Sequence, residues 1–401
     1  MSASLAFGTI ALACADDAQA EAPLPLSRFS RLPVTVAASY PAELRRLARL
    51  LDAAFRAIVA RYFDDPRIRA LYRLPAALER VLSLARAAPY RVGCTRPDFV
   101  YDRDGHPRIC EVGARYPLNG WMVSAFAARA FAADGARHGL HPPPETTDFL
   151  PALLHGLAPG DTVAVIHDRE PGTEIFGLRA PLAARGVDFV DAPPLRLGVV
   201  AGRPAIDGVP LRRVFLELDR SELPGIREDA LAALIAAGGC VNDVRTVVLV
   251  HDKRVLAVLH DPAIMRDCLP ADDYAALRPY LIPTWAPTCE ADAEALLARP
   301  ENLIAKRNSG GRGVDACVRE ACDEATWRDF VRSQWPDYVF QPYLEQRAFT
   351  APDTGEAVHL VGMQLCRDGE SHGPGVFRSS TEHVINLHQQ RGRLHPALVR
   401  A

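Results

Sequence analysis

Short apolar runs alternate with helical patterns over residues 162–237, and this alternation constrains the fold more than any other feature of the sequence. Strands that are separated by helices pair in parallel, because the chain must cross back over the sheet before the next strand begins. The segment therefore predicts a small parallel sheet covered by helices. Strands are predicted at Thr162–Ile166, Val187–Val190 and Arg213–Leu218, helices at Glu174–Arg185 and Arg227–Ala237, and a small hairpin at Asp207-Gly208.

The flanking residues add helices and antiparallel strands, so the predicted fold class of the whole chain is α/β with mixed α+β character. Apolar residues at spacings of three and four over 41–88 predict two or three amphipathic helices. Residues 96–112 alternate around the turn Asp102–Gly105, which is typical of a β-hairpin. A helix at Trp121–Ala133 and a proline-rich loop at His141–Thr147 follow. These features predict four segments, 1–89, 90–148, 149–246 and 247–401.

Composition excludes several classes of protein. With 401 residues and a net charge of −3, the chain lacks the basic balance expected of a general nucleic-acid binder. No run approaches the roughly 20 apolar residues of a membrane span. Nine cysteines without a CxxC pair predict reduced thiols in a cytoplasmic protein, and not a zinc site. The leader Met1–Ala20 has no basic start and is interrupted by Asp16 and Asp17, so we interpret it as disordered or weakly helical.

Lysine is rare in this chain, since 44 of the 46 basic residues are arginine. A lysine retained against such a bias indicates either chance retention or a position where the planar guanidinium cannot serve. Lys306 ends the predicted strand Leu303–Ala305, and a loop with three glycines follows at once. Glycines allow backbone N–H groups to approach phosphate oxygens, and the ammonium adds a compact charge. The pattern therefore predicts a lid over phosphates, the alternative being a surface turn beside an incidental lysine.

Two further features accompany this loop. The other lysine, Lys253, opens an amphipathic helix, and helix N-termini favour anions. The run Tyr338–Glu345 predicts a strand followed by a hinge. Earlier in the chain, Asp98 and Glu111 project from the two arms of the predicted hairpin and can reach a shared site, unless the hairpin is an ordinary exposed turn with charged ends.

This series of motifs resembles the ATP-grasp superfamily, in the circularly permuted branch that includes glutathionylspermidine synthetase. The resemblance implies that Lys253 and Lys306 contact the nucleotide, that a glycine-rich lid covers its phosphates, and that Arg96 and Arg378 contact the transferred phosphoryl group or the substrate. The implied lid residues are Ser309, Gly310, Gly311 and Gly313, the adenine-hinge residues are Gln341, Tyr343 and Leu344, and the magnesium ligands are Asp98, Glu111 and Asn119. Gly113 stands where the family has an asparagine ligand.

The resemblance also implies a fold and an activity. Segment 1–89 would be a leader and helical region, 90–148 the metal-binding hairpin, 149–246 a small α/β lobe, and 247–401 the nucleotide-binding region. The implied enzyme is an ADP-forming ligase that uses ATP and Mg²⁺ to join a small-molecule carboxylate to an amine through an acyl phosphate. A non-catalytic nucleotide-binding protein and a small-molecule kinase are the alternatives. No nucleic-acid or membrane partner is expected, and the sequence leaves the substrates and the oligomeric state open.

Overall fold

The structure is a computed structural model that describes residues 5–15, 22–147, 149–169, 174–310, 315–382 and 392–400. The α-helices are α1 (Tyr40–Arg61), α2 (Pro66–Tyr72), α3 (Ala76–Ala85), α4 (Trp121–Arg137), α5 (Pro144–Thr147), α6 (Phe149–Leu153), α7 (Arg179–Ala183), α8 (Glu228–Ala237), α9 (Arg254–His260), α10 (Pro262–Cys268), α11 (Ala271–Leu277), α12 (Glu290–Leu297) and α13 (Glu324–Gln334). A π-helix spans Thr246–Val250. The chain is therefore of mixed α/β class.

The strands form several small sheets and one larger sheet. In chain order they are β1 (Ala6–Phe7), β2 (Val34–Val36), β3 (Cys94–Tyr101), β4 (Pro107–Gly113), β5 (Leu140–His141), β6 (Thr162–His167), β7 (Asp188–Ala192), β8 (Leu197–Val200), β9 (Arg203–Ile206), β10 (Val209–Pro210), β11 (Arg213–Glu217), β12 (Leu303–Arg307), β13 (Cys317–Val318), β14 (Tyr338–Pro342), β15 (Phe349–Thr350), β16 (Ala357–Arg367), β17 (Glu370–Pro374), β18 (Phe377–Ser380), β19 (Arg393–His395) and β20 (Ala397–Arg400).

The predicted parallel sheet is present. Strand β6 pairs in parallel with β7 on one side and with β11 on the other. The predicted helix Glu174–Arg185 is wrong as a single element, because a 3₁₀ segment at Glu174–Leu178 precedes the short helix α7. Pro181 lies inside the predicted helix, and proline removes a backbone hydrogen bond and clashes with the carbonyl one turn earlier. This local break explains the difference.

The predicted hairpin is also present and joins the largest sheet, whose order is β19-β18-β16-β3-β4 with β15 and β17 beside β16. Strand β16 pairs antiparallel with β3, so residues near the C-terminal end of the chain lie beside the hairpin. A separate three-stranded sheet has the order β13-β12-β14. Its inner face packs on Trp327 of α13, and its other face carries Lys306. The two sheets supply the site described below.

The N-terminal leader packs on the protein over residues 5–15, contrary to the expectation of a disordered or weakly helical segment. Strand β1 pairs antiparallel with β2, which pairs in parallel with β20. Leu12 is completely buried and Leu5 is 5% exposed. Both leucines remove apolar surface from water, which favours the packed arrangement over free chain. Residues 1–4 and 16–21 lie outside the described part of the chain.

One hydrophobic core draws on all four predicted segments. It contains Phe55 of α1, Phe99 of β3, Leu216 of β11 and Phe377 of β18, among other side chains. The segment boundaries themselves stay predictions. Among the described residues, no helix combines the length and the apolar character that crossing a bilayer requires.

Candidate ligand-binding site

The register of the largest sheet brings polar side chains to one face. Asp98 on β3 is directly opposite Glu111 on β4, and directly opposite residues point to the same side of a sheet. Arg96 lies two residues before Asp98 and therefore shares that face. Through β16, the register also brings Arg378 of β18 to this side. The hairpin and a late strand thus contribute to one polar surface.

A β-bulge at Cys110 is responsible for the position of Glu111. Phe99 pairs with Ile109, whereas Asp98 pairs with Glu111, so Cys110 is an extra residue in β4. Without the extra residue, Cys110 would stand opposite Asp98, and Glu111 would face the other side of the sheet. Bulges re-aim side chains in this way and are frequent beside functional sites. The sequence pattern alone did not predict the bulge.

Asp98 is held between two arginines. Its Oδ1 accepts from Arg96 Nε at 2.8 Å, and its Oδ2 accepts from Arg96 Nη2 at 3.0 Å and from Arg378 Nη2 at 2.6 Å. The Asp98 side chain is only 1% exposed. Arg96 Nη1 also donates to Asn119 Oδ1 at 3.0 Å. The carboxylate therefore orients both guanidinium groups, and Asn119 holds Arg96 from the other side.

Two glycines lie beside Arg96. A Cβ atom at Gly113, which is opposite Arg96 in the sheet, would lie 3.7 Å from Arg96 Nε, an ordinary contact distance. A Cβ atom at Gly120 would lie 3.1 Å from Arg96 Cδ, and its φ of +93° favours glycine. Gly120 immediately precedes α4. Gly120 therefore leaves room for Arg96 at the start of α4.

The two lysines of the chain meet at the bulge. Lys253 Nζ lies 3.6 Å from Glu111 Oε2 and donates to the carbonyl of Gly310 at 2.5 Å. Lys306 Nζ donates to the carbonyl of Cys110 at 3.3 Å. Both lysines therefore contact the strand segment that carries Glu111, although they belong to separate parts of the chain.

Positive charge exceeds negative charge in this cluster. Burial alone would raise the pKa of Glu111, but Lys253, Arg96, Lys306 and Arg378 outweigh it and lower the pKa to about 2. Burial lowers the pKa of Lys306. Four cationic side chains thus surround the carboxylates of Asp98 and Glu111. An excess of buried positive charge favours an anionic ligand, because such a ligand would offset repulsion among the cations.

A buried charged group fixes the loop of Lys253. Asp252 is 1% exposed and accepts hydrogen bonds from Arg254 Nη2 at 2.6 Å and from Arg220 Nη1. Arg220 Nη2 donates to Asn308 Oδ1 at 3.1 Å, and the Asn308 carbonyl accepts from the Lys253 backbone N–H at 2.9 Å. These contacts connect the loop after β11, the start of α9 and the end of β12. No pattern in the sequence indicated this group, although Asp252 directly precedes Lys253.

The carboxylate of Glu174 caps the start of α4. Glu174 accepts from the backbone N–H groups of Gly120 at 2.7 Å and Val123 at 2.8 Å. Burial raises the pKa of Glu174, against the lowering effect of these hydrogen bonds and of Arg96. Glu174 thus satisfies helix N–H groups that would otherwise be unpaired. It is remote in sequence from α4, so no local pattern could have indicated the contact.

The predicted lid and hinge are only partly described. Gly310 contacts Lys253 as given above, and Ser309 is partly buried beside it, whereas Gly311 and Gly313 lie outside the described residues. In the predicted hinge, Gln341 is fully buried, and Tyr343 donates its backbone N–H to the Asn302 carbonyl at 2.8 Å. Leu344 is partly buried. The roles of these residues in binding nucleotide stay predictions.

The predicted magnesium ligands differ in what their oxygens contact. Both oxygens of Asp98 and the Oδ1 of Asn119 already accept from arginine, whereas Glu111, within the described part of the chain, forms an ion pair with Lys253 alone. Mg²⁺ often binds one or two carboxylates together with substrate phosphates. The donor set therefore fits a magnesium ion that arrives with phosphate groups and contacts Glu111. It does not fit a pair of free carboxylates on the hairpin.

A second acidic group lies at the turn of the hairpin. Ligand atoms of Asp102, Asp104 and His106 lie within 4.8 Å of one another. Asp102 Oδ2 accepts from Arg108 Nε at 2.8 Å, and its Oδ1 accepts from the His106 backbone N–H at 2.9 Å. These hydrogen bonds explain why the three side chains lie close together, and the arrangement is that of an ordinary turn.

A family model described as the AnkG N-terminal domain matches residues 47–249, which is just over half of the chain. The chain belongs to the AnkG N-terminal domain family. The range that matches this family contains α2, α3, the hairpin and the parallel sheet, and it ends shortly before Lys253. The matched range of this chain therefore includes the hairpin with Arg96, Asp98 and Glu111, while both lysines and Arg378 lie beyond it.

The other comparisons add little. No curated protein matches the sequence of this AnkG N-terminal domain family member. Among solved structures, a protein from Methylobacillus flagellatus KT provisionally named a gamma-glutamylcysteine synthetase is similar, with 11% sequence identity and a TM-score of 0.42. The similarity covers 87% of this chain and 88% of that chain. A TM-score this low does not establish a shared fold.

Proposed function

We propose that the chain is an ATP-dependent ligase of the circularly permuted ATP-grasp type, which joins a carboxylate to an amine and releases ADP and phosphate. One observation carries the proposal. Lys253, Lys306, Arg96 and Arg378 converge around Glu111 from four separate parts of the chain. Nothing local in the sequence requires this convergence, whereas binding a triphosphate beside a reacting carboxylate does.

The side chains have different roles, which follow from their chemistry. Lys253 and Lys306 supply compact charges to phosphate oxygens, since each ammonium donates in three directions. Arg96 and Arg378 supply planar donors that match a carboxylate or a phosphoryl group. Asp98 orients these two arginines. Mg²⁺ bound at Glu111 would offset the charge of the phosphates.

The reaction needs no nucleophilic side chain. A substrate carboxylate oxygen attacks the γ-phosphorus of ATP, the bond to the β,γ-bridging oxygen breaks, and ADP leaves. The amine then attacks the carbonyl carbon of the acyl phosphate, a C–N bond forms, the C–O bond to phosphate breaks, and the nitrogen releases a proton to the departing phosphate or to water. Arg96 and Arg378 hold the reacting oxygens, and the lysines stabilise negative charge on the phosphates.

A screen of amino acids as carboxylate donors against a panel of amines tests the proposal, with ADP release as the measurement. We expect release that requires magnesium, a carboxylate and an amine together. Glu111→Gln should abolish this release, whereas Glu294→Gln should leave it unchanged because Glu294 is half exposed in a surface ion pair with Arg332. A stable phosphorylated product formed without any amine would instead identify a kinase. Nucleotide binding without turnover across the panel would identify a binding protein.

A further inference from the structure

Two cysteines lie together at the turn that follows β13. Cys317 belongs to β13, and Cys322 ends the 3₁₀ turn Arg319–Ala321 through which the chain leaves this strand. Both are free thiols, and their side chains are within hydrogen-bonding contact of each other. Two thiols in contact have the proximity that a disulfide requires, because the sulfur atoms must approach to about 2.05 Å. The proposed ligase reaction uses neither of them.

The local fold holds both cysteines in place. Strand β13 pairs antiparallel with β12, so that Cys317 is opposite Ala305, the residue before Lys306. The backbone N–H of Cys322 donates to the Arg319 carbonyl at 3.3 Å, which closes the turn. The next residue, Asp323, caps the start of α13. Cys322 is therefore fixed between the turn and a helix, with its side chain beside Cys317.

The hydrogen bonds give the two sulfur atoms different roles. The thiol of Cys322 donates to the carbonyls of Arg319 at 3.4 Å and Val318 at 3.7 Å. Because its single hydrogen is directed there, the Cys322 sulfur accepts from the thiol of Cys317. Burial and the neighbouring Cys322 raise the pKa of Cys317 to about 11, so Cys317 keeps its proton at neutral pH. These contacts favour Cys322 as the sulfur that attacks first, since the thiolate is the nucleophilic form.

Access to solvent distinguishes this pair from another pair in the largest sheet. Cys94 of β3 and Cys366 of β16 are close across the strand pair, because Cys366 is opposite Thr95. They are only 1% and 4% exposed, whereas Cys317 and Cys322 are both partly exposed. Buried cysteines are inert toward reagents in solution, and exposed ones react. Proximity and access are thus combined at Cys317 and Cys322.

We propose that Cys317 and Cys322 form a redox modification site, which a small disulfide such as oxidised glutathione converts to an intramolecular disulfide. The Cys322 thiolate attacks one sulfur of the small disulfide, the bond between its two sulfurs breaks, and one small thiolate leaves. Cys317 then loses its proton to water, attacks the Cys322 sulfur and expels the second small thiolate. The two cysteines together lose two electrons, and the small disulfide gains them and becomes two thiols. The inference does not depend on the proposed ligase activity.

Incubation of the folded protein with oxidised glutathione, followed by alkylation of the remaining thiols and digestion with trypsin, tests the inference. Cleavage after Arg319 separates the two cysteines into the fragments 313–319 and 320–328. We expect mass spectrometry to show these fragments joined by a disulfide, and separate again after treatment with dithiothreitol. The exposed Cys289 should carry glutathione and thus shows that the reagent is active.

The same digest contains the negative control. Cys94 and Cys366 should remain reduced and be alkylated only after the protein is unfolded, because both are buried. Separate fragments of Cys317 and Cys322, under conditions in which Cys289 has reacted, would overturn the inference. Joined fragments of Cys94 and Cys366 from the folded protein would overturn the argument from access.

Single variants test the order of attack, with thermal unfolding used to verify that each is folded. Cys317→Ser removes the second thiol, so Cys322 should retain glutathione as a mixed disulfide. Cys322→Ser removes the attacking thiol, so Cys317 should stay reduced. Cys289→Ser is the matched control and should form the joined fragments as the wild type does. Glutathione on Cys317 in one variant, and none on Cys322 in the other, would contradict the assigned order.

Discussion

At the scale of single residues, lysine and arginine have separate roles in the cluster. Arg96 and Arg378 are fixed by Asp98 through several hydrogen bonds. Lys253 and Lys306 instead contact backbone carbonyls, and those contacts leave other N–H directions of each ammonium for a ligand. A guanidinium directs its donors in a planar fork and needs more room. The retention of lysine at these two positions in an arginine-rich chain is therefore consistent with a requirement for a compact charge.

Lys306→Arg is expected to weaken nucleotide binding although it preserves the charge. The larger planar group must fit where the partly buried Lys306 now reaches the Cys110 carbonyl. We expect the dissociation constant of ADP to rise by roughly ten-fold or more. Arg307→Lys is the control, since Arg307 is half exposed on the same strand. Unchanged affinity in Lys306→Arg would remove the main support for a lysine-dependent phosphate site.

Glu111 gives a prediction about pH. Its pKa in the folded protein is about 2, below the ordinary value of 4.5, so the ionised carboxylate stabilises the fold. That contribution is complete above about pH 4.5 and is lost as the pH falls toward 2. Urea unfolding of wild type and Glu111→Gln should therefore differ most near neutral pH, and the difference should shrink through this acidic window. A difference that grows on acidification would contradict the assigned ion pairs.

At the scale of structural elements, the site depends on how strands and loops are joined. The alternating pattern of residues 96–112 predicted the hairpin, and apolar runs predicted β6, β7 and β11. Patterns of this kind depend on local side-chain periodicity, which the sequence displays directly. The bulge at Cys110 and the cap of α4 by Glu174 depend on contacts across the sheet or between distant segments. They leave no local periodicity, and the sequence therefore did not reveal them.

Asp252 connects three elements, and its replacement should lower the free energy of unfolding. Asp252→Asn leaves Arg220 and Arg254 buried without their charged partner. The expected loss is roughly 3–5 kcal/mol in the free energy of unfolding, measured by urea denaturation. Glu294→Gln, at an exposed ion pair, should change the same quantity by no more than about 0.5 kcal/mol. Equal effects of the two changes would show that the buried group does not hold these elements together.

At the scale of the whole molecule, the described ends of the chain meet in one sheet. Strand β2 pairs in parallel with β20, and β1 extends the same sheet. The site likewise draws on residues from Arg96 to Arg378, which only the complete fold brings together. The sequence predicted the members of this cluster through a family resemblance, not through spacing. It could not predict that Asp98 would pair with two arginines, because that depends on the register of β16 and β18.

The packing of the leader provides a test at this scale. Leu12 is completely buried, so Leu12→Ala should lower the free energy of unfolding by roughly 2–5 kcal/mol. Ile10→Ala, in the same segment, removes a side chain that is 42% exposed and should change stability by no more than about 0.5 kcal/mol. Denaturant midpoints of the two variants provide the comparison. Two indistinguishable midpoints would mean that the leader is detached in solution.

The scarcity of lysine has a practical consequence. Lys253 and Lys306 are the only lysine side chains in the sequence, and both belong to the cluster around Glu111. An acylating reagent that attacks ε-amines therefore has no other side-chain target, and a protease that cleaves after lysine has no other cleavage point. Once acylation of the α-amino group is counted separately, both probes report only on the two lysines of the site. The rate of amine acylation, or of cleavage into three fragments, should thus report directly on how often this site opens and on what protects it.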